Sequence, residues 1–139
     1  MLEFDKLFGK IWGPYFSRFQ DPEKNAALAA VIPDLENFFL KNIGRGNFLS
    51  GTSEPMMIDV HCYPMVERLV MMEQSPWSHG FDAIGMKEAK TIIGYVERFK
   101  AYPKFTPHVI TQEAYNKLLA KWDTLEPGVK QQASLEFIQ

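Results

Sequence analysis

From Phe4 onward the apolar residues fall at Phe4, Leu7, Phe8, Ile11, Trp12, Tyr15, Phe16 and Phe19, with Glu3, Asp5, Lys6, Lys10 and Arg18 between them. Steps of three and four put the apolar set on one face of a helix and the charges off it. Gly13-Pro14 interrupts the run. Proline has no N–H to pair one turn back, so a kink is expected there, with the helix stopping near Gln20. Asp21-Pro22-Glu23 opens a second helix, with Asp as N-cap, Pro at the first helical position and Glu in the first turn. Its inward positions are Leu28, Val31, Ile32, Leu35, Phe38 and Phe39; Pro33 should bend it, and it ends near Gly44.

Gly44-Arg45-Gly46-Asn47 is a turn. It resembles a phosphate loop only superficially, because no Lys-Ser/Thr follows and no strand precedes it. A third helix begins near Met56 and aligns Ile58, Cys62, Met65, Val66 and Leu69 on one face. Ser53 or Thr52 is its candidate cap, with Pro55 at the first helical position. The loop from Gln74 to Gly80 leads to a fourth helix. Ala89, Ile92, Ile93, Val96 and Phe99 point inward there, and Lys87, Glu88, Lys90, Glu97 and Arg98 outward. It should stop at Tyr102-Pro103, since the residue before proline disfavours the helical conformation. Thr106-Pro107 and Thr111 are alternative starts for a last helix that carries Tyr115, Leu118, Leu119, Trp122 and Leu125 and halts at Pro127-Gly128. No segment reads as a strand. Amphipathic helices need partners for their apolar faces, so the expected fold is an all-α bundle of about five to six helices. The expected domain covers residues 1–128, followed by a short tail, 129–139.

Composition narrows the classes. With 46% apolar and 14% aromatic residues, the chain is rich enough for a packed core. The net charge is −2 with both signs interspersed, so no basic run offers itself to nucleic acid. Charges interrupt the apolar run at the N-terminus, which argues against a signal-peptide core or a membrane span there. Cys62 is the one cysteine, which excludes an internal disulfide and fits a reducing compartment. A cytoplasmic protein is the expectation.

The chemical groups are sparse. Cys62 lies mid-helix on the apolar face, where a thiol is a small inert hydrophobe. His61, His79 and His108 are scattered. His61 and Cys62 point roughly 100° apart around one helix and cannot converge on a metal. No metal site and no catalytic residue are expected. Asp59 stands in the first turn of the third helix, where a carboxylate accepts from unpaired N–H groups and meets the positive end of the macrodipole. It is expected to be a structural cap.

The stretch NFLSGTSEPMMIDVHCYPMVERL, from Asn47 to Leu69, resembles the C-terminal domain of glutathione transferases. There a Phe-Xaa-Gly-Gly turn precedes an Asp at the start of a central helix, and MIDVHCYPMVERL is similar to the Met-Ile-Asp…Pro…Glu-Arg-Leu pattern of the omega-like class. YVERFKAYPKF is similar to the family's end to the next helix. The likeness covers roughly residues 3 to 125. In the family the position three before that Asp is usually Ser or Thr and completes a capping box; here it is Met56, so the box is expected to be broken.

The resemblance implies a substrate-side and dimerisation domain. Its wall toward a hydrophobic second substrate would be lined by Trp12, Tyr15, Phe16, Tyr115 and Trp122, with Arg68 near the cleft. The thioredoxin-like half, which binds glutathione and activates its sulfur, is expected to be absent, so the chain alone should be inactive and bind no cofactor. Its partner would be a thioredoxin-like domain or another protein chain. Two alternatives remain: a non-enzymatic protein–protein interaction module, and an unrelated helical structural subunit. The wide apolar arc of the first helix further predicts self-association, whereas the second and third helices should find their partners within the bundle.

Overall fold

The computed structural model describes residues 2–16, 22–76 and 84–124. Among them the fold is all-α, with five α-helices and no strand: α1 (Leu2–Phe16), α2 (Pro22–Ile43), α3 (Met57–Glu73), α4 (Lys90–Ala101) and α5 (Gln112–Asp123). Short 3-10 turns stand at Leu49–Gly51, Met86–Glu88 and Thr106–His108. The expected stop near Gln20, the Asp21 cap, much of the Gln74–Gly80 loop, Leu125, the halt at Pro127-Gly128 and the tail lie outside the described residues. No described helix is long and apolar enough to cross a membrane.

The chain divides into two compact units, Met1–Val109 and Ile110–Gln139. In the first unit α1 packs along α2, and α4 packs against both α2 and α3. Phe4, near the start of α1, meets Phe38 and Phe39, near the end of α2, so these two helices run antiparallel. A chain of aromatic contacts runs through an otherwise largely aliphatic core. Phe39 lies edge-on to Tyr95 with ring centroids 4.9 Å apart, and Tyr63 stacks on Phe99 at 3.9 Å. The edge-on geometry of Phe39 and Tyr95 suits rings with negative faces and positive edges. α3 is buried over most of its circumference: Cys62, Tyr63, Val66, Leu69, Val70, Met71 and Met72 are all covered. The single inward stripe expected for this helix therefore understates its central position.

Two boundaries and one side chain differ from expectation. α3 begins at Met57, with Met56 as its N-cap and Pro55 outside the helix, so neither Thr52 nor Ser53 caps it. Thr52 Oγ1 instead donates to the carbonyls of Leu49 and Glu54. Lys87 and Glu88 belong to a separate 3-10 turn, because Ala89, between them and α4, has a non-helical backbone with φ −78° and ψ +65°. Arg98 is half-buried rather than outward, and its Nε donates to the Asn47 carbonyl at 2.8 Å.

α4 has no side-chain cap of its own, since its N-cap residue is Ala89. A carboxylate from another helix takes that role: Glu36 of α2 accepts from the N–H groups of Thr91 at 2.6 Å and Ile92 at 3.0 Å. In the second unit the choice of cap falls on Thr111, whose Oγ1 accepts from the Ala114 N–H at 3.1 Å. On α5 the buried positions are Tyr115 and Leu119. Glu113 and Lys117, one turn apart, form an ion pair at 2.7 Å.

Candidate functional site

The turn that enters α3 is built on three backbone constraints. Gly46 packs so tightly on the backbone of Gly51 that any Cβ would collide with it. The N–H groups of Asn47 and Phe48 both donate to the Thr52 carbonyl. Ser50 and Gly51 take left-handed backbone conformations, with φ +65° and +70°. Serine pays a steric penalty there that glycine escapes.

Asp59 closes this turn onto the core. It is fully buried, and its carboxylate accepts from the Leu49 N–H at 2.9 Å, the Met56 N–H at 2.7 Å and the Tyr95 hydroxyl at 3.1 Å. The Met56 contact is the helix-side half of a capping box. For the other half, the Asp59 N–H donates to the Met56 backbone carbonyl. The carboxylate half of the box is thus in place with Met at position 56. Burial, with the Asp59 carboxylate beside it, raises the Tyr95 hydroxyl far above its ordinary range, so Tyr95 stays a donor. The inward set expected for α4 does not include Tyr95. Its signal was nevertheless present, since 92, 95, 96 and 99 are spaced as one helix face.

The other chemical groups on α3 are held in similar ways. Burial pushes the Cys62 thiol up to about 12, so it is neutral and unreactive at physiological pH. Glu67 is buried and accepts a 2.6 Å hydrogen bond from the Tyr63 hydroxyl. Desolvation raises its carboxyl above the usual carboxylate range; the Tyr63 bond and the charges of Lys100 and Arg68 pull it part of the way back. Arg68 is half-buried on the same helix. His61 bonds to Asp5 at 2.7 Å and joins α3 to α1. No group of three or more His, Cys, Asp or Glu suited to a metal ion occurs among the described residues.

Of the residues expected to line a substrate wall, Arg68 stands on α3. Trp12, Tyr15 and Phe16 lie in the last turns of α1, but their side chains are outside the described residues, as is that of Trp122 on α5. Tyr115 is buried on α5, in the second unit. The apolar excess expected on α1 is visible at Leu2, 72% exposed, whereas Phe4, Phe8 and Ile11 are buried. The residues expected to face inward on α2 are buried, as are Cys62, Val66 and Leu69 on α3, with Ile58 and Met65 half-buried; the exposed apolar side chains stand outside those sets. Leu40 is 57% exposed, Met57 78% and Val60 46%. Met57 and Val60 flank the start of α3, where the chain emerges from its entering turn. Comparison of the chain with protein-family models, with curated proteins and with solved structures finds no match.

Proposed function

We propose that this chain is the substrate-side and dimerisation part of an omega-like glutathione transferase, acting with a thioredoxin-like domain that supplies glutathione and activates its sulfur. The observation that carries the reading is the buried Asp59 carboxylate, tied to the Phe48-Leu49-Ser50-Gly51 turn and to Tyr95. It gives a physical reason for the sequence pattern on which the resemblance rests. A left-handed turn followed by a capping Asp gives the N–H groups at the start of a central helix a partner. On this reading Arg68 offers a cation toward an anionic substrate. The chemistry belongs to the thioredoxin-like half, and no residue here is assigned to sulfur activation.

Glutathione titration of the chain alone, followed by tryptophan fluorescence, tests this. The expected result is no saturable micromolar binding, with conjugating activity appearing only after a thioredoxin-like omega-class domain is joined to the chain. Saturable binding or turnover by the chain unaided would overturn it.

A second reading has one specific observation in its favour. Leu2, Met57 and Val60 expose apolar surface near the Asp5–His61 contact. Such surface suits a non-enzymatic module that docks other proteins in the cytoplasm. If the joined protein binds glutathione but conjugates nothing, this second reading replaces the first.

A further inference from the structure

A cleft of about 340 Å³ opens between the end of α2 and the start of α4. Leu40, Ile43 and the Gly44–Gly46 turn form one side; Lys90, Thr91 and Arg98 form the other. We propose that this cleft binds a small phosphomonoester with an apolar body. The inference does not depend on the family reading above.

Charge is the first argument. α4 has no acidic residue in its first turn, yet Lys90 stands at its positive end. The nearby carboxylate, Glu36, is already engaged by the Thr91 and Ile92 N–H groups. Lys90 is exposed and makes no ion pair or side-chain hydrogen bond among the described residues. Arg98 adds a second cation to the same cleft. Two side-chain cations and a helix N-terminus, set against one engaged carboxylate, leave a net positive site. A phosphomonoester, carrying about −1.5 to −2 at neutral pH, brings it close to neutrality.

The placement of Arg98 is the second argument. Thr91, Gly94 and Arg98 share one stripe of α4, and long helical side chains lean toward the N-terminus. The guanidinium lies back over Gly94, where an added Cβ would come within 3.2 Å of Nη1. A glycine inside a helix costs about 1 kcal/mol relative to alanine. Here that cost leaves room for the guanidinium, while Nε is held on the Asn47 carbonyl. The cation is therefore positioned before any ligand arrives, which reduces the ordering cost of binding.

Shape supplies the third argument. The cleft is at the small end of the range for ligand pockets, too small for a polymer. Exposed Leu40 and buried Ile43 give it an apolar wall opposite the cations. A head group alone would leave that wall wet.

The test is a titration of the full chain with phenyl phosphate at neutral pH, read by amide NMR, with inorganic phosphate and phenol as the two separate halves. We expect saturable millimolar shifts at Gly44, Gly46, Thr91 and the Arg98 Nε–H, with each half binding more weakly than the whole. Lys90→Gln should weaken binding on the order of tenfold, as the loss of one charge-assisted contact predicts, without moving the melting temperature. Leu40→Ser, also at an exposed position, should weaken phenyl phosphate but not inorganic phosphate. Absence of saturable shifts, or a Lys90→Gln affinity equal to wild type, would overturn the site; equal binding of inorganic phosphate would overturn the apolar-body assignment.

Discussion

At the scale of single residues, one buried carboxylate carries more than a helix cap. Sequence position alone gives Asp59 the first-turn N–H groups of α3 as partners; the folded chain adds the Leu49 N–H and the Tyr95 hydroxyl, in a site without water contact. Each buried donor left unpaired costs about 1–3 kcal/mol. Asp59→Ala is therefore expected to destabilise by about 3 kcal/mol or more in urea denaturation, beyond the roughly 1–2 kcal/mol of an exposed cap. In the double variant with Tyr95→Phe the losses should be less than additive, because one orphaned donor is then removed. Strict additivity would dissolve the proposed link.

Glu67 gives a pH prediction. Its carboxyl is raised in the folded state by desolvation, so the native protein holds this proton more tightly than the unfolded chain. Its contribution is most favourable below the unfolded value, roughly pH 4.3, and declines as pH rises through the folded one. Subtracting the Glu67→Gln stability profile from that of the wild type should isolate this decline. Parallel profiles would show that Glu67 titrates as it does in the unfolded chain.

At the scale of elements, helix ends are finished by whatever the fold brings near. α5 uses its own Thr111, a local solution visible as a Thr before a helical run. α4 borrows Glu36 from 55 residues away, which no local rule could locate. Glu36→Ala should cost about 1–2 kcal/mol and speed amide exchange at Thr91 and Ile92 specifically. Uniform exchange changes along α4 would point to general loosening instead. In the turn before α3, Ser50→Gly should stabilise the protein by about 1 kcal/mol, since it relieves the strain of a left-handed non-glycine residue. A lower melting temperature for this variant would mean that the serine hydroxyl compensates for its backbone.

At the scale of the whole molecule, the question is what covers Leu2, Met57 and Val60. Exposed apolar groups cost about 25 cal/mol for each Å² they keep in water, so they favour association. Light scattering at high concentration should report a mass above the 16.0 kDa of one chain, and Val60→Asp with Met57→Asp should return it to that value. A wild type that stays at one-chain mass throughout would remove the case for a self-association surface here.

The sequence by itself determined that this chain is helical and roughly where its helices lie. Apolar spacing, the prolines at 22 and 103 and the threonine at 111 act within one turn of the backbone, so their effects are written locally. Burial of Cys62 was legible for the same reason, because it falls on a face that any packing must cover. The partners of Asp59, Glu36 and Arg98, and the exposure of Met57 and Val60, were decided only by tertiary structure. Those depend on which helix lies beside which, and helical periodicity says which face of a helix is apolar without saying what will lie against it.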